Sequence, residues 1–379
     1  MNIIIVLYII MEPNYTFLSD DEGQFRFRLS GLNVSIANAL RRIVLTEIPV
    51  TVIHTETYQD NKCNIQINTS RFHNEIIKQR ISSIPIHTTD INQLPNNFTL
   101  EVDMVNDTDN VLYVTTEHFK IKNNKTDGYM SAEETREIFP ANPMTKSFID
   151  FVRLRPKISD TIPGEQLKLS AQFSVDIAKT SGMYAVVCKC AYINTMDQDK
   201  INQKVNEMEQ RLIGDGISKE EIEFQKKNYM YLDAQRQFIP DSFDFTIQSI
   251  GIYENVAIMK LACKVLQRKF QELIEAIDGD SMSILNSEVT IDHCYDIVLA
   301  NEDYTVGTVI EYLLHENYYH GDGILTYCGF KKMHPHDTQS IVRIAFKQNA
   351  GKDECRNCMR LVCSEAKEVF QKIEKMFVV

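Results

Sequence analysis

The stretch NVSIANALRRIVLTEIP, residues 33–49, predicts a short helix with one apolar face and a built-in end. Its apolar residues recur at spacings of three and four, which places them on one side of a helix. That face comprises Val34, Ile36, Ala37, Ala39, Leu40, Ile43 and Val44. Asn33 or Ser35 can cap the helix start, and Pro49 cannot continue the helix. We therefore expect this face to be buried against another part of the chain.

Arg41 and Arg42 border this apolar face. A pair of charged residues beside a helix face is usually a solvated flank. The alternative is a docking site for acidic or backbone groups of a large partner, because each guanidinium offers a planar fork of donors. Both interpretations stay open at this point.

The composition indicates a soluble globular protein of two or three modest domains. Of the 379 residues, 44% are hydrophobic and 24% are charged, which is sufficient for sizeable cores. The net charge of -12 argues against a primary role in binding duplex nucleic acid, since nonspecific affinity comes from Lys and Arg neutralising phosphates. Nine cysteines without a secretory signal predict free thiols in a reducing, intracellular compartment.

The run IIIVLYII at residues 3–10 is too short to span a bilayer and lacks the flanking features of a signal peptide. Met11 follows it directly and begins an ordinary exposed start. We expect the first ten residues to be an upstream extension or a loosely attached strand, so either Met1 or Met11 can be the true start. No membrane association is expected.

The first half of the chain reads as a strand, the short helix and then a long β-rich region. Apolar and charged residues alternate over residues 25–29, which predicts a half-buried strand. Residues 50–58 predict a second strand and residues 72–81 a short helix. Five further strand-like runs separated by polar loops continue to about residue 190, as expected of a mostly-β insert.

The middle of the chain changes character at residues 196–237, which predict two solvated, charge-rich helices separated by Gly214 and Gly216. A strand follows at residues 243–251, and Asn255 can cap a long helix with helical spacing of its apolar residues. Residues 278–283 predict a linker.

The last hundred residues repeat the plan of strand, short helix, strand and long helix. Residues 295–300 predict a strand, Thr305 a helix cap, residues 341–347 a strand, and the end of the chain a long helix. A half whose helices cover one side of a small sheet leaves apolar surface that a second, similar half can cover. We therefore predict an α+β fold of two paired halves with a β-rich insert.

The first helix resembles the signature helix that the α chain of bacterial RNA polymerase shares with its archaeal D-type counterpart and with the eukaryotic third-largest polymerase subunit. The matching residues are Asn38, Leu40, Arg41, Arg42, Glu47, Ile48 and Pro49. The stretch IKQRISSIPIH is similar to a second family stretch, with Arg80, Ile84 and Pro85 retained and Ser82 or Ser83 in place of glycine.

The C-terminal part is similar to the small partner subunit, called L in archaea and the eleventh subunit in eukaryotes. The stretches ANEDYTVGTVIEYLL and CGFKKMHPHDTQSIVRIAF carry this resemblance through Glu302, Asp303, Thr305, Gly307, His334 and Pro335. Tyr304 and Thr308 depart from the usual His and Asn. The two resemblances in one chain imply a fusion of the subunits that nucleate RNA polymerase assembly, with the form similar to that of large cytoplasmic DNA viruses.

The resemblance implies two RNA polymerase α-type dimerisation halves that pair within one chain, at an effective concentration set by a short linker. The implied pairing residues are Leu40, Val44, Leu261, Val265, Val306, Gly307, Ile310, Leu313, Val362 and Ile373. The implied function is a non-catalytic assembly platform for the second-largest and largest polymerase subunits and for smaller ones, with DNA and RNA reached only through the complex. The implied docking residues are Asn38, Arg41, Arg42, Glu47, Pro49 and Arg80.

The implied division is an extension, a first half, an insert, a variable helical segment, a linker and a second half. The extension is residues 1–15, the first half is 16–58 with 240–278, and the insert is 59–195. The variable helical segment is 196–239, the linker is 279–287, and the second half is 288–379. A viral chain would act in host cytoplasm and be packaged in the virion, and a cellular one would act in the nucleus.

No metal, cofactor or active site is expected in the chain. Cys355 lies on one helical face, Cys358 lies beside it and Cys363 follows five positions later, so packed thiols are favoured over a zinc site. No cysteine occurs between Cys63 and Cys188, so the insert is expected to bind no metal. Asp278 and Asp280 predict a solvated linker rather than a magnesium site. No phosphate loop, nucleophile elbow or zinc-protease motif is present.

Two alternative functions remain from the sequence. The first is a free-standing transcription-associated interaction module with the same fold and no stable large partner. The second is a metal-dependent enzyme that uses His334, His336 and Cys328.

Overall fold

A computed structural model describes residues 11–159 and 161–377. The described chain divides into two compact units. The first contains residues 11–44, 189–248 and 255–377, and the second contains residues 45–159, 161–188 and 249–254. The expectation for residues 1–10 lies outside the described residues. None of the described helices is both long enough and apolar enough to cross a membrane.

The strands in chain order are β1 (Asn14–Asp21), β2 (Gln24–Ser30), β3 (Val50–Val52), β4 (Cys63–Asn68), β5 (Phe98–Val105), β6 (Leu112–Thr115), β7 (Lys120–Asn123), β8 (Asp150–Leu154), β9 (Gln166–Gln172), β10 (Ser174–Asp176), β11 (Val187–Met196), β12 (Phe238–Ser249), β13 (Ile284–Asn286), β14 (Cys294–Ala300), β15 (Leu325–Lys331) and β16 (Gln339–Phe346). The helices are α1 (Val34–Thr46), α2 (Asn74–Ser82), α3 (Ala132–Ile138), α4 (Gln198–Gly214), α5 (Lys219–Tyr231), α6 (Asn255–Asp278), α7 (Tyr304–Leu314) and α8 (Lys352–Met376). A π-helical turn at His315–Gly321 follows α7.

The first sheet of the first unit has the strand order β1, β2, β12, β11, with β2 antiparallel to both of its neighbours. The predicted alternation in β2 is confirmed, since Phe25, Phe27 and Leu29 are buried and the charged residues between them are not. Phe27 stacks on Phe245 of β12 with 5.2 Å between ring centroids. The sheet therefore presents one aromatic face.

Strand β1 replaces the ordinary exposed start that the sequence suggested. It is an edge strand whose side chains are mostly exposed, so it lacks the apolar alternation that reveals a half-buried strand. Glu22 and Gly23, with φ of 54° and 75°, form the two-residue turn to β2, as required where both central residues have positive φ. Met11 precedes β1 and is buried.

Helix α1 forms as predicted and ends before Pro49. The backbone N–H of Ser35 donates to Asn33 Oδ1 at 2.8 Å, so Asn33 is the cap. Six of the seven predicted apolar positions are buried, but Val34 in the first turn is 49% exposed. Its assignment to the buried face was wrong, because Val34 is the first residue of α1 and lies at the exposed end of the helix.

The second sheet of the first unit has the order β13, β14, β16, β15 and is antiparallel throughout. The predicted strands at residues 295–300 and 341–347 are confirmed as β14 and β16. Strand β13 occupies part of the segment interpreted as a linker, and β15 lies between the predicted short helix and the predicted strand at residues 341–347. The N-cap of α7 is Asp303 rather than Thr305, because Asp303 Oδ1 accepts the backbone N–H of Thr305 at 2.8 Å.

Helices α6 and α8 pack against each other along most of their length. The rings of Phe270 and Phe370 stack with centroids 5.9 Å apart, and both side chains are fully buried. Gln267 donates to Glu374 at 2.6 Å, and Lys367 donates to Gln271 at 2.7 Å. A central aromatic contact is thus flanked by polar contacts that fix the helix register.

The second unit is β-rich, as the sequence predicted for the insert. Its main sheet has the order β4, β9, β5, β7, and the pairs β6 with β8 and β3 with β10 are separate. Isoleucine, leucine and phenylalanine side chains from these strands and from α2 and α3 form one core. The predicted strand at residues 50–58 is shorter than expected, covering Val50–Val52. Strand β11, placed in the insert by the sequence division, pairs within the first unit's sheet.

The two charge-rich helices are confirmed as α4 and α5, with mostly exposed side chains. Helix α4 ends at Gly214, and Gly216 adopts a φ of 73° in the connection. The side chains of Asp197 and Ser218 cap the two helix starts by accepting backbone N–H groups.

Substitution of Gly307 by alanine is expected to destabilise the protein by about 1–3 kcal/mol, as overpacking typically does. An added Cβ would lie 2.1 Å from the Phe330 ring, which packs over α7 at this position. Urea unfolding monitored by circular dichroism measures the change. Gly214→Ala is the control, since no atom lies within 4 Å of its added Cβ. Equal stability of Gly307→Ala and the unmodified chain would contradict the packing.

Glu365 makes the stability depend on pH. Burial raises the pKa of its carboxyl above 4.5, and the Asn317 amide partly opposes this shift. The protonated carboxyl of Glu365 therefore contributes stability, and this contribution is fully present below the pKa that the carboxyl has in the unfolded chain. It is lost as the pH rises through the higher pKa that the carboxyl has in the folded chain. The Glu365→Gln variant is therefore expected to have a larger free energy of unfolding than the unmodified chain at pH 7.5. At pH 4 this difference should disappear. Urea unfolding at both values measures this, and an identical difference at both would contradict the prediction.

Candidate functional site

Arg42 links α1 to the start of α7. Its Nε donates to Thr305 Oγ1 at 2.8 Å, and its Nη2 donates to Asp303 Oδ2 at 2.9 Å. Asp303 also caps α7 and places its negative charge at the positive end of the helix dipole. One carboxylate therefore both starts α7 and holds α1 beside it.

The residues before α7 receive a second cation from α6. Lys269 Nζ lies 3.1 Å from Glu302 Oε1, with side-chain exposures of 13% and 11%. The carbonyl of Glu302 accepts the Ser340 hydroxyl of β16 at 2.9 Å. Residues 302–305, which we name the α7 junction, thus connect α1, α6, α7 and β16.

Arg41 has a different environment from Arg42. Its Nε and Nη2 donate to Asn38 Oδ1 at 3.1 and 2.8 Å, one helical turn earlier. Its charge acts on Cys190 and Tyr192 of β11, where it partly opposes the effect of burial, which raises the pKa of the Cys190 thiol to about 12. The structure therefore separates the two arginines that the sequence treated as a pair.

The other predicted docking residues lie in the second unit and contact its own groups. Glu47 is 8% exposed, and its carboxylate lies 3.3 Å from Lys179 Nζ. The carbonyl of Pro49 accepts the Tyr253 hydroxyl at 2.9 Å. Arg80 donates to the carbonyls of Phe151 and Asp150 at 2.7 and 2.6 Å, which ties α2 to β8. Each of these residues has a local structural contact, and docking by any of them stays a prediction.

The predicted pairing residues belong to α1, α6, α7 and α8 of the first unit. All are buried except Leu261, which is half-buried. The buried members are Leu40, Val44, Val265, Val306, Gly307, Ile310, Leu313, Val362 and Ile373. Their burial places them in a core, while their role in pairing two halves stays a prediction.

The predicted packing of the α8 thiols is confirmed. Cys355, Cys358 and Cys363 are buried, and burial raises their pKa values to about 12, 11 and 12. Their burial is that of packed apolar side chains in the first unit.

The two acids of residues 278–280 form ion pairs that the sequence interpretation missed. Asp278 Oδ1 accepts from Arg360 Nε at 2.8 Å, and Asp280 pairs with Arg356. Both arginines lie on α8, seventy or more positions away, so no local signal could have revealed the pairs. They fasten the end of α6 to α8 and do not form a carboxylate cluster.

The histidines considered for a metal-dependent enzyme are exposed on a turn. The rings of His334 and His336 are 5.2 Å apart, and Cys328 lies on β15. Within residues 11–159 and 161–377, the one group of three ligand side chains with mutually close donor atoms is different: His315, Glu316 and His320.

Comparison with known proteins relates this fold to a polymerase subunit family. Residues 26–270 match the model of the RNA polymerase Rpb3/Rpb11 dimerisation domain. DNA-directed RNA polymerases IV and V subunit 3B of Arabidopsis thaliana is 24% identical over 295 residues, covering 68% of this chain and 88% of that protein.

Two further relatives differ in how much of the chain they match. DNA-directed RNA polymerase II subunit rpb3 of Dictyostelium discoideum is 20% identical over 303 residues, covering 69% of this chain and 94% of that protein. DNA-directed RNA polymerases I and III subunit RPAC1 of Homo sapiens is 37% identical over 67 residues, covering 18% of this chain and 17% of that protein. Because the family match spans well over half of its length, this chain belongs to the RNA polymerase Rpb3/Rpb11 dimerisation domain family.

Proposed function

We propose that this chain is a non-catalytic assembly subunit of a multisubunit DNA-directed RNA polymerase. The observation that carries the proposal is the family match over α1, the β-rich unit and most of α6, together with full-length relatives named as polymerase subunit 3. Since these relatives are named as subunits of larger polymerases, we assign phosphodiester formation to the partner subunits.

The chain supplies both members of the dimer that such subunits form. The family match ends at residue 270, yet the chain continues into a second sheet with its own short helix and long helix. The contact of α6 with α8 and the pair of Arg42 with Asp303 join this second half to the first. In a fused pair the covalent connection keeps the effective concentration of the halves high, which favours their contact.

The partners are the largest and second-largest polymerase subunits, with smaller subunits around them. Among the predicted docking residues, Arg41 supports this role best, since its donors contact only its own helix neighbour Asn38 in the contacts described above. Its guanidinium fork suits carboxylate or backbone acceptors on a protein partner.

The thiols and the proposed fusion support a proposal for the cellular setting. All nine cysteines are unpaired, which suits a reducing compartment. The fusion of two subunit-like halves favours a large DNA virus as the source, with action in host cytoplasm.

Affinity purification of the tagged chain from its source under high salt tests the proposal. Two chains above roughly a thousand residues should co-purify, in line with partners large enough to use the platform, and the eluate should make RNA from a DNA template. Elution of the chain alone would overturn the assembly role and favour a free-standing interaction module.

Arg41→Glu is expected to reduce recovery of the large subunits at least about tenfold, the effect of losing a charge-assisted contact of about 1.4 kcal/mol or more. Quantitative mass spectrometry of the purified complex measures the recovery. Arg268→Glu is the matched control, because Arg268 is exposed on α6 and contacts Glu272 of the same helix. Unchanged recovery with Arg41→Glu, at unchanged thermal stability, would remove Arg41 from the docking surface.

The effects on stability of substituting Arg42 and of substituting Asp303 should be coupled, because the two side chains form an ion pair. Their side chains are 37% and 21% exposed, so a double-mutant cycle is expected to give a coupling of about 0.5–1.5 kcal/mol. The variants are Arg42→Met and Asp303→Asn, since asparagine retains the capping oxygen of α7. Urea unfolding measures the cycle. Arg41→Met combined with Asp303→Asn should be additive, and additivity of the Arg42 cycle would contradict the link.

A further inference from the structure

The π-helical turn at His315–Gly321 changes which side chains lie side by side after α7. The backbone N–H of Asp322 donates to the carbonyl of Asn317 at 2.9 Å, five positions earlier. In an α-helix, residues five apart diverge by about 140° around the axis. The wider turn instead brings residues five apart close together, and such turns recur at functional sites.

Two residues anchor this turn to the interior. Asn317 is 6% exposed and donates to Glu365 Oε2 of α8 at 2.6 Å, while Tyr318 is 4% exposed. The remaining polar residues of the turn are half-buried or exposed. The anchored inner side therefore fixes the direction of the outer side chains.

The outer side gathers two imidazoles and one carboxylate. The rings of His315 and His320 have centroids 4.3 Å apart, and His315 Nδ1 lies 3.4 Å from Glu316 Oε1. One ligand atom from each of His315, Glu316 and His320 lies within 4.8 Å of the other two. Tyr319 stacks on the His315 ring at 4.9 Å and restricts its orientation.

We propose that His315, Glu316 and His320 form a binding site for a divalent transition-metal ion, with Zn²⁺ as the ion that fits best. Two imidazole nitrogens and one carboxylate oxygen are a ligand set that Zn²⁺ accepts, with bonds of about 2.0–2.2 Å and one position left for water. Ions such as Mg²⁺ and Ca²⁺ prefer oxygen ligands alone. The three donor atoms lie close enough together for their side chains to converge on one ion.

This site departs from the sequence expectation, which assigned no metal to the chain and placed the alternative site at Cys328, His334 and His336. The spacing of His315 and His320 in the sequence does not predict the site, because two residues five positions apart on an α-helix lie on different sides of it. Only the π-helical register brings the two imidazoles together.

A bound ion would hold the turn in its π-helical register. Since the ion binds the folded arrangement, it stabilises that arrangement by mass action. The turn contacts α8 through Asn317, so the ion stabilises the connection between α7 and the long helix. The site is structural, and it is independent of the proposed polymerase role.

Zinc titration of the full chain after chelator treatment and desalting tests this site. Isothermal titration calorimetry and elemental analysis should give one high-affinity equivalent of Zn²⁺. The variant His315→Ala with His320→Ala is expected to lose that equivalent or to weaken its Kd at least about a hundredfold, since only one of three protein ligands remains.

His334→Ala with His336→Ala is the matched control, because this pair also consists of two neighbouring histidine rings on the surface. Its Zn²⁺ affinity should equal that of the unmodified chain. Co²⁺ substitution gives a second readout, in which the spectrum should lack a thiolate charge-transfer band because no cysteine is a ligand. Absence of binding, retained binding in the first variant, loss in the control, or a thiolate band would each overturn the proposal.

Discussion

The contact of α6 with α8 is the interaction on which the first unit depends. Residues 255–278 and 352–376 are far apart in sequence, and each helix has a stripe of buried apolar side chains. Burial of one large apolar side chain contributes about 1.5–3 kcal/mol, so the stacked pair of Phe270 and Phe370 is a major term. Without this contact, each of the two helices would expose apolar side chains that are now buried.

Polar contacts add orientation to this apolar packing. Arg42 binds the carboxylate that caps α7, and Lys269 pairs with the adjacent Glu302, so two cations converge on the α7 junction. The pair of Lys269 and Glu302 is nearly buried, which makes its net energy modest but its loss of one partner costly. Such contacts favour one relative placement of α1, α6 and α7, whereas apolar side chains alone would tolerate several.

The sequence predicted the elements with strong periodicity and missed those without it. Helix α1 and strand β2 have apolar repeats of 3.6 and 2, and both formed as expected. Strand β1 has exposed side chains on both faces, and β13 has only three residues, so neither produces a readable pattern. Contacts such as the one between Arg42 and Asp303 were not predictable from a local pattern, since these residues are 261 positions apart.

The predicted docking residues already have contacts within the chain, and these contacts limit which of them can bind a partner. Arg80 would have to release two backbone carbonyls, and Glu47 would have to release Lys179 while itself nearly buried. Leaving a buried acceptor or charge without its partner costs about 1–3 kcal/mol or more, which a docking contact would first have to offset. Arg41 needs to release only Asn38, one turn away on a half-buried part of α1. Among the predicted docking residues, Arg41 therefore has the smallest set of contacts to release, while Arg42 and Arg80 hold parts of the chain in place.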